Sequence, residues 1–209
     1  MDKNRVFGYV PSVIDGTEKI FGAPVDIKLP EEYSYRNFMA PIIDQGALSI
    51  CVPCSVSAYL NWKENLKDGS SKDNKVALMD IYKSKTTAGE GMTFKDAFHY
   101  LRHHGVKVDK QNLKIDCYGM VNNILSLKYA LVMNGPCVGA LRVYNSRPDF
   151  WVKYAGDYFL GGHAISIVGY DKEGFIIRNS WGTQFGDKGY TKIPYEEFGE
   201  LMEVWTVIQ

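Results

Sequence analysis

Asp44-Gln45-Gly46-Ala47-Leu48-Ser49-Ile50-Cys51-Val52-Pro53-Cys54-Ser55 is the stretch from which the rest of the chain can be read. A glutamine stands six residues ahead of a cysteine, and the cysteine opens a periodic segment. Val52, Val56, Tyr59, Trp62 and Leu66 recur at steps of four, three, three and four, which predicts a long amphipathic helix over residues 51–66. Ser49 is its expected N-cap, Pro53 falls in the first turn where a missing N–H costs little, and Asp68-Gly69 supplies the stop. A thiol at a helix N-terminus sits at the positive end of the aligned peptide dipoles, which favours thiolate. Two chemistries fit that placement: a nucleophilic cysteine, or a redox pair in the C-x-x-C run Cys51-Val52-Pro53-Cys54.

The 209 residues suffice for one substantial domain or two small ones packed together. Lys+Arg and Asp+Glu balance at 24 each, so nothing in the charge suggests a nucleic-acid groove or an anionic membrane surface as partner. No apolar run approaches the roughly 20 residues of a membrane span. Met1-Asp2-Lys3-Asn4-Arg5 is not followed by the apolar core of a secretory leader. The cysteines at 51, 54, 117 and 137 lack a dense disulfide spacing, so reduced thiols in a cytoplasmic compartment are expected.

Residues 1–28 are broken by Pro11, Gly16, Gly22 and Pro24 and read as an extended N-terminal arm or a short pro-segment, with Val6-Phe7 and Ile20-Phe21 as apolar pieces able to dock. A second helix is expected over about 75–84. A third is marked by the capping pattern Thr93-Phe94-Lys95-Asp96, a stripe of Phe94, Ala97, Phe98 and Leu101, and Gly105 beyond its end. A fourth covers about 121–133 and stops at Asn134-Gly135-Pro136. Strands follow at 137–144, 163–170, 175–179, 190–193 and 204–208, with Asp171-Lys172-Glu173-Gly174 as a hairpin turn. Helices first and antiparallel strands after them predict an α+β protein of two lobes.

Acyl transfer through a thiol needs a base beside the sulfur, a group to orient that base, and donors for the oxyanion. His163 opens one strand, and sixteen residues later Asn179-Ser180-Trp181-Gly182 closes its hairpin partner, so the two lie near one end of the sheet. The register is not fixed by the sequence, and Gly169 is a candidate bulge. An Asn179 carbonyl on one imidazole nitrogen would hold the tautomer, with Trp181 shielding that bond from water.

These blocks resemble the papain-like cysteine peptidase family, in particular its bacterial and viral members that lack a long pro-domain. Pro41-Ile42-Ile43-Asp44-Gln45-Gly46 leading to Cys51 is similar to the family's glutamine-then-nucleophile block. Gly162-His163-Ala164 through Val168-Gly169-Tyr170 is similar to its histidine strand, and Ile177-Arg178-Asn179-Ser180-Trp181-Gly182, with Gly186 and Gly189-Tyr190, to its asparagine block. The resemblance covers residues 29–209. It implies a papain-like fold with a helical lobe (about 36–125), an antiparallel β-barrel-like lobe (about 126–209) and a cleft between them. It also implies cleavage of peptide or protein substrates through a thioacyl-enzyme, by default as an endopeptidase, without metal or cofactor. On this resemblance Cys51 is the nucleophile, His163 its base, Asn179 the orienter of His163, and Gln45 with the Cys51 N–H the oxyanion hole. Trp181, Ser49, Gly91 and Gly162 line the substrate path, with Gly91 as the match to the glycine strip that pairs with substrate backbone.

The chain departs from the family at several points. The usual run C-G-[SA]-C-[WY], with His and Asn about 130–150 residues on, is here Leu48-Ser49-Ile50-Cys51-Val52, with His163 and Asn179 only 112 and 128 residues downstream. Ser49 stands where a glycine lets substrate pass closely, and Leu48 replaces a cysteine that forms a structural disulfide in secreted members. Three other readings compete. A dithiol oxidoreductase needs a buried strand just before Cys51, where Asp44-Gln45-Gly46-Ala47 is turn-like. A catalytically impaired peptide-binding module would keep the fold without needing all four site residues. A metal site at His99, His103 and His104 lies off the core face of its helix. Cys54 is read as a small core residue, with a reversible disulfide to Cys51 as a subsidiary idea, and Cys137 as packing.

Overall fold

A computed structural model describes residues 6–208; the leader reading rested partly on Met1–Arg5, which lie outside the described residues. In chain order the elements are β1 (Tyr33–Ser34), α1 (Cys51–Asp68), α2 (Leu78–Lys83), α3 (Phe94–His103), β2 (Val106–Val108), β3 (Gln111–Leu113), β4 (Cys117–Met120), α4 (Ile124–Asn134), β5 (Cys137–Val143), β6 (Gly161–Tyr170), β7 (Gly174–Arg178), β8 (Tyr190–Pro194) and β9 (Leu201–Ile208).

Helix α1 is the axis of the helical half. The expected single apolar stripe is absent from its first three turns, where every residue from Cys51 to Trp62 is buried. These turns lie between the sheet on one side and α2 and α3 on the other, so none of their faces meets water, whereas Leu66 of the expected stripe falls in the exposed last turn. It ends as predicted: Gly69 takes φ +68° and its N–H returns to the Asn65 carbonyl. It does not begin as predicted. The N-cap position is Ile50, with no side-chain cap, and the Ser49 hydroxyl instead donates to Glu90 Oε2 at 2.5 Å. The first-turn amides of Cys51 and Val52 are directed at the Cys51 sulfur, which takes the donors a cap would have used. Helix α3 starts at the expected cap, with Thr93 Oγ1 accepting from the Asp96 N–H at 2.9 Å. Helix α4 starts three residues later than expected because Asn123 caps it, accepting from the Ser126 N–H.

All pairings in the large sheet are antiparallel, in the order β4-β9-β5-β6-β7-β8, with β1 added on β6. It is an open sheet, so the barrel-like closure expected of the second lobe is not formed. Alternate residues explain why. Val138, Ala140, Ala164 and Val168 enter a core with α1 and α3, whereas Cys137, Leu141, Val143, Ile165 and Ile167 enter a second core with Leu127, Ala130 and Leu131 of α4. Both faces are already covered by helices, so the sheet buries its apolar side chains without curling onto itself. Strand β4, from the helical half of the sequence, forms one edge by pairing with β9. The β6–β7 register shifts between Ile167 and Gly169, the expected bulge, and β1 passes so close that a Cβ on Gly169 would lie 2.3 Å from the Tyr33 carbonyl oxygen. Among the described residues no helix is long and apolar enough to cross a membrane.

The first described residues do not fray. Tyr9 bridges to both Met92 and Gly162. Farther along, Lys95 holds Glu18 at 2.7 Å, and the backbones of Lys19 and Phe21 bond Met120 on the sheet edge, both at 2.8 Å. The arm therefore crosses from the sheet to the helical half over the start of α1.

Candidate active site

The site assembles where α1 begins against the first residues of β6. Cys51 is fully buried at the helix start. Ala164, the neighbour of His163 on β6, directs its backbone N–H at the Cys51 sulfur, which brings the thiol to the histidine strand. His163 Nε2 lies 2.7 Å from Asn179 Oδ1. The same oxygen accepts the Ser180 N–H at 2.7 Å, so the carboxamide cannot be flipped without placing an NH2 group against a backbone donor. Trp181 covers the pair, its ring 4.5 Å from the imidazole and tilted 31°. Phe150 stands edge-on to the imidazole at 5.8 Å, and His163 has no exposed surface.

Gln45 is tied to this hairpin. Its N–H donates to the Ser180 carbonyl at 2.9 Å, and its Oε1 accepts from Ser180 Oγ at 2.6 Å. Its Nε2 is thereby turned toward the cleft, donating to the Leu48 carbonyl at 2.9 Å and, at 3.4 Å, to the Val6 carbonyl. Ser180 is thus the joint that fixes Gln45 relative to Asn179. Sequence reasoning passed over it, although its place inside Asn-Ser-Trp-Gly was a signal.

The cleft is filled by the arm. Phe7 packs edge-on against both His163 and Trp181, with ring centroids at 6.4 and 6.2 Å. Gly8 directs its N–H at the Cys51 sulfur, and its carbonyl accepts from the Met92 N–H at 2.9 Å. Val10 donates to the Met92 carbonyl at 3.0 Å, and Tyr9 to the Gly162 carbonyl at 3.4 Å. The residues read as substrate contacts are those the arm touches. Gly162 admits the Tyr9 ring, since a Cβ there would lie 2.5 Å from it. Gly91 admits the Gly8 carbonyl, though the backbone bonds themselves fall one residue on, at Met92. Ser49 passes against Gly8 with no room for a side chain between them.

Burial pushes the Cys51 thiol up to about 11, against the pull of the amides of Ala164, Gly8, Val52 and Cys51 itself. The amides at the helix start do pull toward the thiolate, but desolvation outweighs them, so the thiolate expected from the helix start is not the favoured form with the arm seated. Cys54 is also buried and is raised by burial first and then by the nearby Cys51. All four cysteines are free. The segment before Cys51 is a turn and not the buried strand a dithiol oxidoreductase requires. The rings of His99 and His103 lie 4.4 Å apart, tilted by 45°, and among the described residues no three His, Cys, Asp or Glu side chains group to hold a metal.

With a helix-start cysteine, a His–Asn pair on a hairpin and an intervening cleft in place, comparison with known proteins is informative. Residues 29–203 match the family model described as papain family cysteine protease, and the chain belongs to that family. A gut-specific cysteine proteinase of Caenorhabditis elegans is 34% identical over 38% of this chain and 26% of its own length. Cysteine proteinase 2 of Entamoeba histolytica is 27% identical over 82% of this chain and 66% of its own length. The chain therefore spans only part of the curated relatives it matches. The crystal structure of xylellain, a cysteine protease from Xylella fastidiosa, superposes with a TM-score of 0.81 at 24% identity, covering 98% of this chain and 96% of that one.

Proposed function

We propose that the chain is a cysteine peptidase that cleaves peptide bonds through a thioacyl-enzyme, as an endopeptidase. The observation that carries the reading is the His163 Nε2–Asn179 Oδ1 contact beneath Trp181, on the strand whose next amide reaches the Cys51 sulfur. An oxygen acceptor at Nε2 requires the proton to sit there, so Nδ1 is the nitrogen that exchanges a proton with the thiol. The Cys51 thiolate attacks the scissile carbonyl carbon. The oxygen that gains the negative charge is met by the Cys51 N–H and by Gln45 Nε2, the group that now faces the Val6 carbonyl. His163 gives its proton to the leaving amine as the C–N bond breaks. It then takes a proton from water, which attacks the thioester and releases the acid, restoring the thiol.

The arm-filled cleft is the closed form in this reading: Phe7, Gly8 and Tyr9 stand where substrate would, and they leave before turnover. Free thiols at all four cysteines support a reducing, cytoplasm-like workplace. The test is a peptide-library digest with Cys51→Ala as control, paired with labelling of Cys51 by a peptidyl epoxide. Cleavage that disappears in Cys51→Ala, and labelling that disappears in His163→Ala, are the expected results. Cleavage that persists in Cys51→Ala overturns the assignment.

A further inference from the structure

Arg178 ends β7 with only 5% exposure, and no step above uses it. Its Nη1 donates to the Tyr190 phenol oxygen at 3.1 Å and its Nη2 to the Pro41 carbonyl at 2.8 Å. Neither acceptor is a carboxylate, and among the described residues none forms an ion pair with this guanidinium. A buried cation without a counter-charge is strongly disfavoured. Arg178 lines a cavity of about 10 Å³, room for one small species. Asn179 and Ser180 line it beyond the end of β7, Ser166 from β6, and Cys54 and Ser55 from α1.

The Asn179 carboxamide has its Oδ1 taken up by His163 and the Ser180 N–H, while its Nδ2 is buried with no acceptor. The hydroxyl protons around the cavity are already committed. Ser55 donates to the Val52 carbonyl, Ser166 to the Ser55 carbonyl and Ser180 to Gln45 Oε1. Cys54 brings no negative charge, because burial raises its thiol far above the usual range. What remains is an amide donor and a guanidinium with two of its five N–H groups engaged. A water here would answer the amide and leave the charge unanswered. A metal cation would meet the guanidinium's own charge, and a carboxylate or phosphate exceeds the volume. On another side Arg178 lines an open groove of about 350 Å³ between Pro41–Ile43 and α1, which gives a small ion a way in. We propose that the cavity is a halide site, with chloride as its ligand, held by Arg178 and Asn179 Nδ2. The ion pins the carboxamide at one end while Oδ1 holds His163 at the other. Its consequence, chloride-dependent turnover, rests on the reading of Asn179 as the residue that orients the base.

The experiment compares the full chain in sodium chloride and in sodium gluconate at equal ionic strength, which holds screening constant while gluconate is too large for the cavity. The thermal midpoint should rise by roughly 3–5 °C for each tenfold increase in chloride above the dissociation constant, and not in gluconate. Crystals soaked in bromide should show anomalous scattering inside the cavity. Arg178→Met should lose both effects; if that variant does not fold, the bromide signal and the midpoints of the unchanged chain decide. Turnover is read in full-length Gly8→Val, whose side chain cannot clear the Ser49 backbone, so that the cleft is open. There kcat should fall by about threefold to tenfold when gluconate replaces chloride, with KM nearly constant, because the ion acts through Asn179 and not on substrate. Bromide in the cavity and a chloride-specific midpoint without cleavage would sink the peptidase reading and leave the site standing. Equal midpoints in the two salts, no bromide in the cavity, or cleavage at one rate in both salts overturns the proposal.

Discussion

Gly8 passes so close to Ser49 that a Cβ on Gly8 would lie 2.2 Å from the Ser49 carbonyl oxygen. Backbone meets backbone there, and no side-chain rotation relieves the clash. The arm can seat over the thiol only with glycine at this position. Gly8→Val is therefore expected to lift the arm from the cleft. Peptide hydrolysis and the rate of Cys51 alkylation should both rise, by about tenfold or more, with a small loss of thermal stability. Alkylation no faster than in the unchanged chain would show that the arm does not gate the site.

Burial governs the pH dependence of the thiol, against the pull of the arm's own Gly8 amide. Burial raises Cys51 from an ordinary value of 9.0 to about 11, so the folded, arm-seated form favours the neutral thiol. The stabilisation that follows is fully present below about pH 9 and is lost as pH rises toward 11; a shift of this size is worth about 2–3 kcal/mol. Iodoacetamide reaction of the full chain should thus climb with pH to a midpoint near 11. In Gly8→Val, where water reaches the sulfur and the amides of Ala164, Val52 and Cys51 still face it, the midpoint should fall by at least one unit, on the order of the desolvation that is relieved. Identical profiles for the two proteins would refute desolvation by the arm as the cause.

How much of this was readable beforehand depends on the range over which each feature is decided. His163 and Asn179 sit at matching ends of a hairpin, and period-two strands with a turn between them bring the two together once the Gly169 bulge corrects the register. The end of α1 and the start of α3 were legible for the same local reason: Gly69 and Thr93 act within one turn of themselves. The β2–β3 hairpin was missed because its turn uses Asp109 at φ +49° in place of a glycine. The open sheet could not be seen because it depends on α4 covering one face and α1 the other. Phe7-Gly8-Tyr9 offered a small residue between two aromatics, yet nothing local says that this tripeptide reaches a thiol more than forty residues away.

Gln45 makes two contacts with different consequences. Its bonds to Ser180 hold the loop, and its Nε2 faces the cleft. Gln45→Ala removes both side-chain contacts, leaving the Ser180 hydroxyl without this acceptor while the backbone bond from residue 45 to the Ser180 carbonyl remains. The expected result is a fall in kcat of about 10²- to 10³-fold beside a loss of stability of only about 1–2 kcal/mol. Gln45→Glu keeps an acceptor for Ser180 but presents a carboxylate where an oxyanion forms, so it should recover the stability without the rate. If Gln45→Glu turned over as fast as the unchanged chain, Nε2 would not be the oxyanion donor.

Asn179→Ala separates orientation from chemistry. The substitution leaves Cys51, His163 and Gln45 in place and removes the acceptor that holds the proton on His163 Nε2. It also takes the acceptor from the Ser180 N–H. The imidazole is then free to hold its proton on the nitrogen that must exchange with the thiol, and a share of the molecules is in the unproductive tautomer at any moment. We expect kcat to fall by about tenfold to a hundredfold with KM nearly unchanged, because Asn179 touches the base and not the substrate. The alkylation rate of Cys51 should fall with it when measured on a Gly8→Val background, where the arm no longer limits access. Asn179→Asp supplies an acceptor oxygen again, and its charge favours the imidazolium, so it should regain part of the rate with an altered pH profile. A KM that rises while kcat holds would place Asn179 among the substrate contacts and remove it from the base.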